Sequence, residues 1–324
     1  MFQSIFNKDI KILSAITVQD EEKLDNFYNS IYNNLFGIGV THNFEKEDRY
    51  FVEALSHFMK QIHLLRSAMI LLKNNLPLEA GILVRSATNI FFVIEYLLQD
   101  GKEKENFKKL FILSVVAELF DLKSEVTLLE EIRDEEKYKR LFNEYIFNDY
   151  QQELNELRES LKENYPIDAP TTDDKFDNKI SAKIKKELKL PSIKDMASVS
   201  VEGQFIYNKM YNIFSIYDHS SPRVLHYYRE LYKTSNKYKV KFYEYSQEKT
   251  DEQLFIFASF LELLCLGLKR ILEKIQKSDS LLKRYRNKKF NSLVDSLNHL
   301  SDFRDAFASK VNPLFEKQPR ERNE

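Results

Sequence analysis

Only one cysteine, Cys265, occurs in 324 residues, so no intramolecular disulfide and no cysteine-based zinc site can form. It sits in an apolar run and reads as a buried thiol. Glycine (6) and proline (7) are both scarce, so tight turns must be few. That scarcity argues against a many-stranded sandwich or barrel and for long helices. Tryptophan is absent, and the formal net charge of -1 leaves no global field to attract nucleic acid or a membrane surface. The first residues, M-F-Q-S-I-F-N-K-D-I-K, have neither the basic start nor the long apolar core of a signal peptide. A cytoplasmic protein is expected. No H-E-x-x-H, Walker loop, G-x-G-x-x-G or G-x-S-x-G is found, which sets aside the classes those motifs define. No cofactor is expected.

What is present is a chain 43% hydrophobic and 31% charged, ample for a buried core. Phe51, Leu55, Phe58, Ile62, Leu65, Met69 and Leu72 step by fours and threes, which predicts an amphipathic helix packed along one seam. Asn74, Asn75 and Pro77 end it, and a second helix is predicted over 78–99, closed by Gly101. The short connection implies an antiparallel helical hairpin. Further helices are expected over 20–35, 102–122, 176–190, 222–232 and 251–277, with a solvated, tyrosine-rich helical stretch before 164. Residues 238–245 alternate and read as a brief extended segment. The run 254–268 is too short to cross a membrane and carries Glu262 at its middle, so it reads as a buried core helix.

These elements predict an all-α fold, a multi-helix bundle around one core with long antiparallel helices and a helical C-terminal extension. The expected division is a helical lead-in at 1–46, the main bundle at 47–278 with an exposed loop at 165–174 around Pro166 and Pro170, and a charged extension at 279–324.

The stretch 211–222, Y-N-I-F-S-I-Y-D-H-S-S-P, is the strongest site candidate. Asn212, Ser215 and His219 are three and four apart and would share one helical face. Ser221 and Pro222 read as an N-cap and first residue of the next helix. Arg85 lies in I-L-V-R-S-A-T-N-I-F-F-V-I-E-Y, a helix apolar on nearly every side, on one stripe with Asn89, Phe92 and Tyr96. A buried guanidinium needs acceptors. Arg85 therefore reads either as a pair joining two helices or as a contact for a phosphate or other anion. His219 reads either as a polar residue ending its helix or as an acid–base group. His226 reads as a half-exposed surface residue. Glu53 and His57 share a face, but neither His57 nor His63 completes the Glu-x-x-His pairs of a di-iron bundle, so no metal site is expected. The run K-R-Y-R-N-K-K at 283–289 reads as a solvated helix face or a small nucleic-acid footprint.

Taken together, L-E-A-G-I-L-V-R-S-A-T-N, L-P-S-I-K-D-M-A and Y-N-I-F-S-I-Y-D-H-S-S-P resemble a bacterial all-helical family of unknown function, over roughly residues 50–275. Its members carry an R-S-x-x-E helix and a Y-R-x-x-S-x-x-x-H-x-x-P helix. This chain keeps Arg85, Ser86, Tyr211, Ser215, His219 and Pro222. It has Asn89 where the family usually has Glu and Asn212 where it usually has Arg. If those two positions pair across helices in relatives, the double change replaces an ion pair by an amide contact.

An arginine followed a few residues later by a histidine on a helix also resembles the signature of HEPN ribonucleases. That resemblance implies a dimeric, metal-independent RNA-cutting protein of phage defence or stress response. Catalytic roles would fall to His219, Arg85 and Ser215, and binding roles to Asn89, Tyr211, Asn212 and Arg223. With Asn at 212, Arg85 or Arg223 would have to supply the phosphate contact. The alternative is a non-catalytic interaction or sensor module with a protein partner, in which Arg85 and His219 only fix helix register. Neither reading involves a membrane.

Overall fold

The computed structural model describes residues 18–37, 44–74, 76–165, 172–218, 229–234, 237–242 and 250–316. Among the described residues the fold is helical, as the composition predicts, with one short antiparallel hairpin. It divides into two compact units, residues 1–103 with 193–324, and residues 104–192.

In the first unit, α1 (Val18–Ile31) runs into a π-turn, Tyr32–Phe36, that Gly37 ends in the left-handed conformation (φ 57°). Helix α2 (Arg49–Lys73) buries every residue of the predicted seam. The Asn74 side chain donates to the carbonyl of Ile70, and Pro77 occupies the first position of α3 (Pro77–Leu97). Helices α2 and α3 form the expected hairpin. Helix α3 is long and apolar enough to cross a membrane, and 67% of its apolar window is buried inside the fold.

Helix α10 (Thr250–Lys277) packs against both α2 and α3, burying Phe257, Phe260, Leu264, Cys265, Leu268 and Ile271. Burial pushes the Cys265 thiol up to about 12, so it is inert, as its apolar setting predicts. Helix α11 (Asp279–Glu316) returns along α10 and meets α1. Ser30 and Ser296 share a hydrogen bond of 2.6 Å, and the Tyr285 hydroxyl donates to the Leu35 carbonyl at 3.2 Å. The expected lead-in and extension thus pack on each other within this unit.

The second unit comprises most of α4 (Glu103–Asp134) with α5 (Glu144–Asn164) and α6 (Asp173–Leu188). Helix α4 runs twelve residues past its expected end at 122. Helix α5 is more than a solvated helix: Phe147, Leu154 and Leu161 are buried against Val116, Leu119, Phe176, Ile180 and Ile184. Arg158 is buried among them. Its Nε and one terminal nitrogen donate to the two Asp177 oxygens at 3.0 and 2.7 Å, and its other terminal nitrogen donates to Asp173 at 3.1 Å. Asp177 is fully buried, so this bidentate pair is what makes its charge tolerable.

With the short α7 (Ile193–Ala197) the chain returns to the first unit. There α8 (Val201–Ile206), a second π-turn (Tyr207–Tyr211) and α9 (Asn212–Asp218) make one continuous run along α3. Strands β1 (Arg229–Thr234) and β2 (Lys237–Phe242) pair antiparallel with Arg229 opposite Phe242 and Thr234 opposite Lys237. The extended reading of 238–245 holds for the residues in β2. The expected helix over 222–232 is corrected at its end, where 229–232 are strand, because pairing with β2 overrides the helix preference of Glu230 and Leu231.

Candidate functional site

Helix α3 supplies one side of the site because its sequence is apolar nearly all round, so its few polar residues must be accommodated within the packing. Arg85 and Asn89, one turn apart, are half-buried. The other side is the run 201–218. Ser200 begins it as an N-cap, its Oγ accepting from the Gly203 N–H at 2.9 Å. Gly203 is required there, since a Cβ would lie 2.4 Å from the Ala197 carbonyl oxygen.

The π-turn then widens the helix by one residue, a feature frequent at functional sites. Through it Tyr207 and Tyr211 stack, with centroids 5.0 Å apart and planes 14° from parallel. Both rings abut Phe92 of α3, each at 6.0 Å. The guanidinium of Arg85 lies over the Tyr211 ring, 5.5 Å from its centroid. A guanidinium so placed is held electrostatically by the ring and oriented in plane.

The structure brings Arg85 and Tyr211 together; the expected meeting of Arg85 with His219, directly or through a shared neighbour such as Ser215 or Tyr211, falls on a residue outside those described. Ser215 is half-buried on α9 and its hydroxyl donates to the Asn212 carbonyl at 2.9 Å. The Asn212 side chain is exposed. Among the described residues Asn89 Oδ1 is buried without a hydrogen-bond partner, so it accepts no bond from Asn212. His219, Pro222, Arg223 and His226 lie outside the described residues. So do 166–171, most of the expected loop.

Residues set aside by sequence stay peripheral. His57 Nδ1 faces the main-chain oxygen of Glu53 at 2.9 Å and its carboxylate at 3.4 Å, a local pair on α2. Among the described residues no group of three or more His, Cys, Asp or Glu is placed to hold a metal ion. The 283–289 run is only partly solvated: Arg284 stacks on Phe44 at 3.7 Å and Tyr285 is buried, while Lys283, Lys288 and Lys289 are exposed.

Sequence reasoning missed a second polar cluster on α3. Glu95, only 4% exposed, lines one cavity with Ser200 and has Oε1 3.5 Å from Arg270 Nε on α10. Arg270 also donates to the Leu98 carbonyl at 2.8 Å and to Glu273 at 3.3 Å. Lys269 pairs with Glu202 at 3.3 Å. These groups surround a cavity of about 50 Å³. Burial raises the Glu95 carboxyl above the ordinary glutamate range. Ser200 and Arg270 oppose that rise, while Glu202 and Glu273 add to it. The available signal was a lone acid in I-F-F-V-I-E-Y, but its partner is far off in the chain.

Residues 53–239 match the model of a family described as a family of unknown function (DUF5677). No curated protein and no solved structure matches the chain.

Proposed function

From the premise that the chain belongs to this family of unknown function, we propose that it binds RNA at the Arg85–Tyr211 face and, through His219, cleaves it. One observation carries the reading: the Arg85 guanidinium rests on Tyr211, itself stacked on Tyr207. A planar, permanently charged fork beside stacked aromatic rings is the chemistry that recognises a phosphate next to a base. In the cleavage step His219 takes the 2′-hydroxyl proton and the freed oxygen attacks the adjacent phosphorus. The bond from phosphorus to the 5′-oxygen then breaks as that oxygen takes the proton back from His219, giving a 2′,3′-cyclic phosphate and a 5′-hydroxyl. Arg85 steadies the charge gathering on the phosphate oxygens. In this reading Ser215 assists catalysis, and Asn89, Tyr211, Asn212 and Arg223 take binding roles. The HEPN resemblance adds a cytoplasmic, dimeric protein of phage defence or stress response that needs no metal.

The test is to incubate purified protein and a His219→Ala variant with total RNA in the presence of a chelator. Cleavage by the parent alone supports the reading; intact RNA in both refutes the catalytic step.

A second reading is a non-catalytic interaction module. It is favoured by the same stack, which joins α3 to the 201–218 run as a packing contact. Under it, Arg85→Ala and His219→Ala lower thermal stability and leave RNA untouched.

A further inference from the structure

The register of β1 against β2 sorts their residues onto two faces. Successive residues of a strand alternate between faces, and directly opposed residues share one. One face of the ribbon therefore carries Lys237, Lys239 and Lys241 of β2, opposite Thr234, Tyr232 and Glu230 of β1. The other collects Leu231, Tyr238, Val240 and Phe242, with Arg229 and Lys233 among them. Such a division suits a ribbon covered on its apolar face and wetted on its polar one.

The polar face gathers charge of one sign. The whole chain has a formal net charge of -1, yet here three lysines stand against a single acid. A strand rises about 3.4 Å per residue, so lysines at alternate positions recur about every 7 Å. That step is comparable with the one between successive phosphates of an extended single strand. Lysine is a point charge on a flexible stem, which suits contact with a phosphate backbone and reads no base. Tyr232, opposite Lys239, sets an aromatic residue among the cations, and bases of any sequence stack on aromatic rings. Glu230, opposite Lys241, offsets part of that lysine's charge and leaves most of the task to Lys237 and Lys239.

We propose that the Lys237–Lys239–Lys241 face of the hairpin is a second RNA contact, a track for the sugar–phosphate backbone of a single strand. The inference rests on the reading that the chain binds RNA. It assigns to the ribbon the sequence-independent, salt-sensitive part of the affinity, while Arg85 holds one phosphate at the site. A chain with no global field thus collects a polyanion through a local one.

The test is the salt dependence of binding to a fluorescein-labelled single-stranded RNA bearing 2′-O-methyl groups, which cannot be cut through the 2′-oxygen. The parent is compared with Lys237→Gln, Lys239→Gln and Lys241→Gln combined, and with the same three positions changed to Arg. A control combines Lys283→Gln, Lys288→Gln and Lys289→Gln, which removes equal charge from exposed lysines of α11. Losing two or three phosphate contacts, at about 0.7 each, should make the log–log salt slope shallower by about 1.4–2.1 and weaken binding at least about tenfold near 50 mM salt. The arginine variant and the α11 control should keep both affinity and slope. If the triple glutamine change lowers the melting temperature, the three single changes replace it and their slope changes are summed. An unchanged slope and affinity in the ribbon glutamine variant overturns the track, and so does an equal loss in the α11 control. Binding to phosphatidylserine vesicles that the ribbon change abolishes, with RNA affinity intact, overturns it in favour of a membrane surface. Arg85→Lys on the same RNA separates the two readings. Loss there but not in the ribbon variant removes the track and leaves the site; the reverse keeps the track and removes the site. A parent that binds no RNA overturns both.

Discussion

The guanidinium of Arg85 lies 5.5 Å above the ring of Tyr211, joining the centre of α3 to the end of a π-turn. Because both residues are half-buried, this contact is worth more than a surface cation–π pair but less than a fully desolvated one. A double-mutant cycle with Arg85→Met and Tyr211→Leu should give a coupling of about 0.5–2 kcal/mol. Urea unfolding of the four proteins measures it. A coupling near zero would mean the two side chains are neighbours without interaction.

Glu95 gives a pH prediction of definite sign. Its carboxyl is raised in the fold, so between the ordinary glutamate value, about 4.3, and the raised value the native state holds more protons than the unfolded chain. This group's contribution to stability is therefore complete below the ordinary value and is lost as pH rises through the raised one. Glu95→Gln removes the titrating charge. It should melt above the parent at pH 7.5, and the gap should close near pH 4. Thermal melts across that range check it.

Gly267 permits α10 to approach α2. A Cβ there would lie 2.7 Å from Gln61 Oε1 and 2.8 Å from the Phe58 ring, and both of those residues are fully buried. With no space for Phe58 to move into, Gly267→Ala should cost about 1–3 kcal/mol despite its better helix propensity. A lowered urea midpoint with an unchanged slope is the expected result.

In the second unit, Arg158→Met would leave Asp177 fully buried and short of its bidentate partner, with Lys123 at 3.9 Å as the cation left beside it among the described residues. The expected loss is about 3–5 kcal/mol. Replacing both, Arg158→Met with Asp177→Leu, should recover much of it. Hydrogen exchange of peptides from α5 and α6 reports the effect locally.

The α2 seam was readable because seven apolar residues kept one helical period from Phe51 to Leu72, and each is buried. Its end was readable from Asn74 and Pro77, whose chemistry is local. Arg85 stood out as a cation in an apolar helix, but the polar stripe read after it was Asn212, Ser215 and His219, so the contact with Tyr211 was not singled out. Nor was the π-turn readable, because it inserts a residue that shifts the helical phase without any glycine or proline to mark it. The core of the second unit was hidden by its polar surroundings: α5 keeps only Phe147, Leu154 and Leu161 as its buried apolar residues. Glu95 and Arg270 lie in different helices far apart in the chain, and no sequence spacing links such a pair. Arg229–Thr234 carries helix-forming residues that become strand only through β2.

The account rests most heavily on Arg85 as the group that meets RNA phosphate. The most direct measurement is the affinity of a labelled single-stranded RNA for the parent and for Arg85→Lys, each at two salt concentrations. Lysine keeps the charge but loses the planar fork and its seat on Tyr211. The account predicts binding at least about tenfold weaker in Arg85→Lys, roughly the 1.4 kcal/mol that one oriented, charge-assisted contact supplies. Equal affinity in the two proteins, or no RNA bound by either, would contradict it.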